Sequence, residues 1–283
     1  MSLKYTMIIW LASYPKSGNT WVRFFLKSYL SSLDKNFSLR PDINDNFYIR
    51  NFPSTKLCDE MKIDYLNFPN IVKNWIPMQD FINLNNKTNF LKTHNAMCTI
   101  NNYPFTNINN TLGAIYIVRD PRDVAVSFAH HNQISHKEIV ENMISSQHGE
   151  YPEVEGKSFH LTISGTWSDH YNSWKNYNGK KIIIIKYEDL ISKSYETFSE
   201  IIKYLSNIYK IIFDEKKIKF SIEQTNFQNL RKLEEKEGFI EKGKGNFFFR
   251  KGKIGSWKEE LSNDLVKIIE KNFEKEMLEL GYL

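Results

Sequence analysis

The sequence predicts an α/β fold of three layers, in which a central and mostly parallel β-sheet is flanked by helices. Short apolar runs recur along the chain, and each is followed by a turn or cap signal and then by a helical pattern. The runs are continuously apolar, which is typical of strands buried on both faces, and helices between strands favour parallel pairing. The predicted strands cover residues 6–12, 90–93, 114–118 and 181–186.

Helical periodicity places helices behind these strands. Residues 21–30 carry an apolar stripe at helical spacing directly after the first strand and its loop. A last helix begins at Asp264 and ends at Gly281, a residue typical of helix C-caps. The basic, glycine-rich stretch 238–255 between helices predicts an ordered loop over an anion.

The composition is that of an ordinary globular protein, with 283 residues of which 41% are hydrophobic and 25% charged. No repeat, linker or charge block divides the chain, so we expect one domain over residues 1–283. No apolar run approaches the ~20 residues that cross a bilayer, and the run 7–12 lacks the cleavage site of a secretion signal. Two cysteines build no disulfide framework. We therefore expect a cytoplasmic protein without a membrane partner.

The net charge of +5 is a modest excess of 38 Lys and Arg over 33 Asp and Glu. It invites a nucleic-acid partner, but an anionic small ligand explains it equally well because the cations are scattered among acids. Lys fills most cationic positions, so each remaining Arg is a candidate for binding a phosphate-like group with its planar fork. These are Arg23, Arg40, Arg50, Arg119, Arg122, Arg231 and Arg250.

The segment 14–21, Tyr-Pro-Lys-Ser-Gly-Asn-Thr-Trp, lies between the first strand and its helix. Backbone N–H groups and the helix dipole bind anions at such a position. Gly18 permits close approach, Ser17 and Thr20 offer hydroxyls, and Lys16 supplies a charge. The segment resembles a P-loop, yet it lacks the Lys-Ser/Thr pair that holds magnesium beside a triphosphate. On its own, an ordinary strand-to-helix turn explains it equally well.

The whole octet is similar to the 5′-phosphosulfate-binding loop of the sulfotransferases, which use 3′-phosphoadenylyl sulfate (PAPS). The family pattern is Tyr-Pro-Lys-Ser-Gly-Thr-Thr-Trp, from which this chain departs only at Asn19. The resemblance implies a P-loop-like fold and a cofactor-binding loop in which the Trp stacks on the purine. Its residues here are Lys16, Ser17, Gly18, Asn19, Thr20 and Trp21. A Trp on an apolar helix face is also typical of plain core.

The segment 119–127 follows the strand 114–118 into a helix, with Pro121 as an ordinary helix-start signal. It looks like the family's 3′-phosphate motif, which implies that Arg119 and Ser127 bind the 3′-phosphate, Arg119 through charge-assisted hydrogen bonds.

The segment 250–258 resembles the family's C-terminal signature R-K-G-x-x-G-D-W-K, with Ser256 in place of Asp. By itself it is typical of a solvated basic loop. The resemblance implies that its first three residues, Arg250, Lys251 and Gly252, close over the same 3′-phosphate.

Weaker matches follow in the family's order. Tyr187 opens a Tyr-Glu-Asp-Leu segment, and Thr225 and Phe227 match the ends of a Thr-Ser-Phe motif. In the family these residues approach adenine. Three motifs in the correct order, spread from residue 14 to 258, identify the chain as a member of the sulfotransferase family.

Sulfuryl transfer by in-line displacement needs a base for the acceptor and stabilisation of the leaving phosphate. His is the natural base near neutral pH. The candidates are His94, His130, His131, His136, His148, His160 and His170. His130, His131 and the cluster after them have irregular spacing that no Cys or carboxylate completes, so we predict no metal.

His94 follows the strand 90–93, at the edge where an open sheet binds ligands, although a lone His there is also typical of a structural residue. Lys92-Thr93-His94 is similar to the family's Lys-Thr-His, which implies that His94 is the catalytic base. By the same resemblance, Lys16 is the cation at the bridging oxygen and Lys92 a second cation at the sulfonate. Ser127 restrains Lys16 when no acceptor is present.

The predicted function is transfer of a sulfuryl group from PAPS to a hydroxyl or amine of a small molecule, leaving adenosine 3′,5′-bisphosphate (PAP), without a metal. The alternatives are a P-loop small-molecule kinase and a non-catalytic nucleotide-binding protein. We expect no nucleic-acid partner. The acceptor, whether alcohol, phenol, amine or sugar, stays open. The family's dimer motif is not reproduced after Lys258, which leaves monomer and dimer both open.

Overall fold

The computed structural model describes most of the chain, with short gaps. The described residues are 7–31, 37–40, 49–85, 87–150, 153–154, 157–158, 161–242 and 244–283. The first residue of the predicted strand 6–12 and Gly243 of the glycine-rich stretch lie outside them.

Strands and helices alternate along much of the described chain. The strands are β1 (Ile8–Ser13), β2 (Arg50–Asn51), β3 (Asn89–Thr93), β4 (Thr99–Ile100), β5 (Tyr103–Pro104), β6 (Thr111–Val118), β7 (Gly149–Glu150), β8 (Glu153–Val154), β9 (Lys157–Ser158), β10 (Thr162–Ile163) and β11 (Ile182–Lys186). The helices are α1 (Asn19–Leu30), α2 (Thr55–Glu60), α3 (Phe68–Lys73), α4 (Trp75–Asn83), α5 (Pro121–Asn132), α6 (His136–Met143), α7 (Trp167–Lys175), α8 (Tyr187–Ser192), α9 (Ser194–Tyr209), α10 (Glu215–Gln224), α11 (Phe227–Glu237), α12 (Trp257–Glu260) and α13 (Asn263–Leu280).

The largest sheet has the strand order β11-β6-β1-β3-β2. β1 runs parallel to both of its neighbours, and β2 runs parallel to β3. Every residue of β1 is buried, and β6 is buried along nearly its whole length. The continuous apolar runs of β1 and β6 therefore mark strands covered on both faces, whereas β11 is mostly half-buried. The predicted α/β class with a mostly parallel sheet is confirmed.

The chain divides into two compact units that interleave along the sequence. Unit 1 comprises residues 1–15, 49–117 and 143–184, and unit 2 comprises residues 16–48, 118–142 and 185–283. Unit 1 contains most of the large sheet, and unit 2 contains α1, α5 and the helices from α8 onward. The single domain expected over residues 1–283 stays a prediction.

The core of unit 1 is aromatic. The ring of Trp10 on β1 lies 5.3 Å from Phe52 and 5.1 Å from Phe105, and Phe105 lies 5.4 Å from Trp75. Trp10 Nε1 also donates a hydrogen bond to Thr111 Oγ1 across 2.9 Å. Aromatic pairs of this kind each contribute about 0.5–1.5 kcal/mol beyond the area they bury. They fix β1, and with it the position of Ser13 at the strand's carboxyl end.

Unit 2 packs around α1, whose predicted apolar stripe is buried. Phe25 stacks on Phe198 of α9 with ring centroids 3.9 Å apart. On the same helix, Ser28 Oγ donates to Ser221 Oγ of α10 and Tyr29 Oη to the Ile212 carbonyl. The predicted last helix is also confirmed, since α13 is followed by Gly281 as its C-cap, with a φ of 70°.

Arg122 ties the beginning of α5 to the C-terminal helix. Its guanidinium hydrogen-bonds the carboxylate of Asp120, donates to Glu270 Oε1 across 2.6 Å, and donates to the Tyr282 carbonyl across 2.7 Å. It also lies 4.0 Å above the ring of Trp257. Arg122 is therefore a structural arginine rather than a phosphate ligand.

None of the helices in the described ranges combines the length and apolar character needed to span a bilayer.

Candidate active site

The predicted cofactor-binding residues all belong to unit 2, whereas Lys92 and His94 belong to unit 1. In unit 2, the loop before α1 has an unusual backbone. Lys16 has a φ of 66° and Gly18 a φ of 103°, both in the left-handed region that residues with a side chain rarely adopt. Alternation of hand along a short backbone makes a concave anion-binding turn. No side chain caps the first turn of α1, where Gly18 is the N-cap.

Ser17 Oγ and Arg119 Nε are among the polar atoms in or beside this loop that are buried without a hydrogen-bond partner. Ser17 is fully buried, and its Oγ has no partner. Arg119 is 8% exposed, and its Nε likewise has none. Buried polar groups are nearly always paired, and leaving one unpaired costs about 1–3 kcal/mol. The two atoms therefore fit a site that is completed by a polar, anionic ligand.

Arg119 holds the loop in place. It follows β6 directly and donates from Nη1 to the carbonyl oxygen of Lys16 across 3.2 Å. Its guanidinium also lies 4.4 Å above the ring of Tyr187 at the beginning of α8. The same ring explains the glycine at 18, because a Cβ there would lie 2.5 Å from Tyr187 Cδ2. Tyr187 is predicted from a weak match to approach adenine. In the structure its ring also packs against the loop before α1.

An aspartate joins the C-terminal motif, residues 250–258, to the motif of residues 119–127. Asp123 on α5 accepts hydrogen bonds from the backbone N–H of Gly255 across 2.7 Å and of Trp257 across 3.1 Å. Arg119 Nη2 adds a bond of 3.4 Å to the carbonyl of Lys253. The segments 119–127 and 250–258 are therefore in direct contact, as expected of two motifs that are predicted to bind one phosphate. Ser127 lies further along α5 and is partly exposed.

Arg250 and Lys251 are held by Glu260. Arg250 Nη1 and Nη2 donate to the two carboxylate oxygens across 3.2 and 3.1 Å, and Lys251 Nζ donates across 2.8 Å. Arg250 Nη1 and His130 Nε2 lie 2.9 Å apart. Although burial raises the pKa of Glu260, the bonds from these basic groups lower it to about 2. The two predicted phosphate ligands thus already bind an ionised carboxylate.

The sequence interpretation that no carboxylate completes the histidine cluster is wrong. His130, His136 and Glu260 bring their ligand atoms within 4.8 Å of one another. The sequence pattern did not indicate Glu260, because this residue lies on α12, far from the histidines in sequence. The guanidinium of Arg250 sits on both His130 and Glu260, so a basic side chain takes the place that a metal ion would use.

The predicted adenine contacts surround the same region of unit 2. Trp21 packs edge-on against Tyr187 at 6.3 Å and against Phe198 at 5.6 Å. A Cβ at Gly252 would overlap the ring of Phe227, which brings the C-terminal motif onto the start of α11. Thr225 is fully buried and donates its hydroxyl proton to the Ser221 carbonyl, so only its acceptor capacity is left.

In unit 1, His94 follows β3 and is 8% exposed. Its Nδ1 lies 2.7 Å from the carbonyl oxygen of Ser13, at the end of the neighbouring strand β1. A carbonyl can only accept, so Nδ1 carries a proton, and in the neutral ring the lone pair is then on Nε2. This is the tautomer that a base acting through Nε2 requires. Parallel pairing, with Ala12 opposite Thr93, brings the two residues together.

The two predicted catalytic lysines have different surroundings. Lys92 lies on β3 and is partly exposed, and its backbone carbonyl accepts from Phe52 N. The ammonium of Lys16 lies 4.2 Å from the centre of the Phe248 ring. Phe248 belongs to the glycine-rich stretch, and Glu234 accepts hydrogen bonds from the N–H of Phe248 and Phe249. The predicted ordering of this loop is thus achieved by a buried acid.

Comparison with known proteins decides the family. A family model described as a sulfotransferase domain matches residues 8–281. The chain belongs to the sulfotransferase family. The membership and the function class predicted from the motifs are confirmed, and the kinase alternative is not favoured.

Individual relatives of this sulfotransferase are distant. Cytosolic sulfotransferase 12 of Arabidopsis thaliana is 24% identical over 275 residues, covering 94% of this chain and 76% of that protein. Amine sulfotransferase of Oryctolagus cuniculus is 24% identical over 177 residues, which is 60% of this chain and 56% of that protein. The crystal structure of mouse sulfotransferase SULT7A1 complexed with PAP superposes with a TM-score of 0.58 at 19% identity, covering 96% of this chain and 84% of that one.

Gly18→Ala tests the loop geometry. The methyl group would meet both a left-handed backbone and the ring of Tyr187, so we expect the free energy of unfolding in urea to fall by about 2–4 kcal/mol. Gly281→Ala is the matched control: its φ is 70° but its Cβ would meet nothing within 4 Å. It should lose only about 1–2 kcal/mol. Equal losses in the two variants would contradict the close packing of Gly18 against Tyr187.

Proposed function

We propose that this sulfotransferase binds PAPS through unit 2 and transfers its sulfuryl group to a small-molecule hydroxyl or amine, with PAP as product. The observation that carries the proposal is the loop 16–20, where Lys16 and Gly18 adopt left-handed backbone. Beside it, Ser17 Oγ and Arg119 Nε are buried without partners. These atoms supply donors for a nucleotide that carries an anionic group at both its 3′ and its 5′ position.

The residues of unit 2 have distinct proposed roles. Thr20, Ser17 and Asn19, with the first N–H groups of α1, hold the 5′-phosphosulfate. Arg119 and Ser127 hold the 3′-phosphate, and the C-terminal motif closes over it with Arg250, Lys251 and Gly252. The rings of Trp21, Tyr187 and Phe227, with Thr225, bind the purine.

When bound, the donor supplies an activated sulfuryl group on a phosphate leaving group. His94 takes the proton of the acceptor at Nε2, while the acceptor oxygen or nitrogen bonds to sulfur and the bond from sulfur to the bridging oxygen breaks. Lys16 moves off the Phe248 ring to neutralise the charge that develops on the bridging oxygen, and Lys92 balances the sulfonate. The proposed chemistry uses no metal.

The acceptor is proposed as a small molecule, in keeping with the amine named for the relative from Oryctolagus cuniculus. A cytoplasmic location is proposed from the relative named a cytosolic sulfotransferase. Screening phenols, alcohols, amines and sugars with labelled donor would identify the acceptor class.

Calorimetry with PAP tests the nucleotide. We expect tight binding that is unchanged by magnesium, because Lys and Arg side chains supply the positive charge. Arg119→Met should weaken it about 10- to 100-fold, since charge-assisted hydrogen bonds contribute about 1.5–3 kcal/mol. Arg50→Met is the control of equal charge change, because Arg50 is exposed on β2. Binding that needs magnesium would favour the kinase, and no binding would refute the proposal.

Two substitutions separate chemistry from binding. We expect His94→Ala to lower kcat at least 100-fold, the usual contribution of a general base, with PAP affinity unchanged. Lys16→Ala should lower kcat more than PAP affinity, because its charge acts on the oxygen that leaves. Single-turnover measurements with labelled donor would test both. Near-normal turnover of His94→Ala would contradict its role as base.

Glu260→Gln tests whether this acid competes with the nucleotide. We expect PAP to bind about 3- to 10-fold more tightly, because the amide removes a charge that repels phosphate and occupies Arg250 and Lys251. Glu259→Gln is the control, since its exposed carboxylate lies 3.9 Å from Lys251. Adenosine 5′-phosphate, which lacks the 3′-phosphate, should bind both variants like the wild type. Weaker PAP binding to Glu260→Gln would contradict the competition.

A further inference from the structure

A buried chain of hydrogen bonds in unit 1 ends on the backbone of His94. Tyr116 Oη lies 2.9 Å from His170 Nδ1, and His170 Nε2 lies 3.2 Å from the carbonyl oxygen of His94. Tyr116 is 1% exposed and His170 is fully buried. Ser164 Oγ donates to the same carbonyl across 3.1 Å. Neither Tyr116 nor His170 has a role in the proposed reaction so far.

The proton positions in this chain are determined by chemistry. The carbonyl of His94 can only accept, so His170 Nε2 carries the proton. Burial lowers the pKa of His170 to about 3, so the ring is neutral and its Nδ1 is an acceptor. Tyr116 must therefore donate, and burial raises the pKa of its hydroxyl, which keeps the proton in place. Each member of the chain has one available orientation.

The next peptide is held as well. Trp174 Nε1, one turn along α7 from His170, donates to the carbonyl of Asn95 across 3.0 Å. Asn95 N donates to Thr93 Oγ1 across 3.1 Å. Side chains of α7 therefore donate hydrogen bonds to two consecutive carbonyls directly after β3. The peptide between His94 and Asn95 and the peptide that follows it thus have fixed planes, and the first of these restrains the direction of the Cα–Cβ bond of His94.

We propose that His170, oriented by Tyr116, is a positioning residue for His94. The inference rests on the proposed function of His94 as base. Holding the carbonyl of His94 keeps its Nδ1 on the Ser13 carbonyl and aims Nε2 in a single direction. An apolar side chain would fill the space between Tyr14 and Tyr116, whose rings both lie 5.6 Å from His170. Such a side chain would not restrain the peptide after His94, because only a hydrogen-bond donor can hold the carbonyl oxygen.

Substitutions at positions 170 and 116 distinguish positioning from packing. His170→Leu fills the space without a donor, and we expect kcat to fall at least 10-fold with PAP affinity unchanged. His170→Gln can place its amide nitrogen near the former Nε2, and should retain kcat within about 3-fold. Tyr116→Phe leaves His170 free to take the other tautomer, and should lower kcat about 3- to 10-fold. It is also the gentlest of the three changes.

Thr106→Val is the matched control for stability. Thr106 Oγ1 makes buried hydrogen bonds to Gln79 and Thr111 in the same unit. We expect the midpoint of thermal unfolding to fall as it does for Tyr116→Phe, with kcat unchanged per folded molecule. A loss of kcat in Thr106→Val equal to that in Tyr116→Phe, or full kcat in His170→Leu, would overturn the positioning role.

A spectroscopic readout does not depend on turnover. In protein labelled with ¹⁵N-histidine, the Nδ1–H signal of His94, assigned by its loss in His94→Ala, should shift or broaden in Tyr116→Phe and stay unchanged in Thr106→Val. An unchanged signal in Tyr116→Phe would overturn the inference. Loss of turnover in His94→Ala together with full turnover in His170→Leu would refute this inference alone. A wild-type chain that neither binds PAP nor transfers sulfuryl groups would refute the proposed function and this inference with it.

Discussion

The guanidinium of Arg119 holds together the segments from which the proposed nucleotide-binding region of unit 2 is built. It bonds the carbonyls of Lys16 and Lys253 and covers the ring of Tyr187. These contacts need several donors in one plane and a flat face, which arginine has and lysine lacks. In a chain that uses Lys at most basic positions, this geometry explains why Arg stands here. The conformation of the loop before α1 thus depends on a residue about a hundred positions away.

Acidic side chains organise the basic C-terminal region in two ways. Asp123 and Glu234 accept from backbone N–H groups, so their charge is used to order the chain around Gly255 and Phe248. Glu260 accepts from the side chains of Arg250 and Lys251. The first arrangement is made to the backbone, with one longer ion pair of 3.9 Å between Asp123 and Arg119, whereas the second engages the side-chain cations directly. The modest net charge of the chain hides this distribution, because paired acids and bases cancel in the count.

Much of the fold was predictable because its signals are local. The predicted strands are continuous apolar runs, and most of their observed ends, as in Ile8–Ser13 and Ile182–Lys186, lie within two residues of the predicted ones. Strand β6 begins three residues earlier than predicted, at Thr111. The three predicted phosphate motifs could also be found in the sequence, because each is a contiguous segment. The structural role of Arg122 and the carboxylate of Glu260 could not be found in this way, because each depends on a partner more than a hundred residues away. The short pairs β4–β5, β8–β9 and β7–β10 carry too few residues for a periodic pattern.

His94 and His170 of unit 1 illustrate how a neutral partner sets a tautomer. His94 and His170 each donate from one ring nitrogen to a backbone carbonyl, of Ser13 and of His94 respectively. A carbonyl has no proton to gain or lose, so the direction of each bond does not change with pH. A carboxylate partner would also stabilise the protonated ring, and a base must be unprotonated before it reacts. Backbone partners therefore orient the ring of His94, and this requires that the backbone itself be rigid. That rigidity is supplied by the central strands and by the buried side chains that hold the peptides around His94.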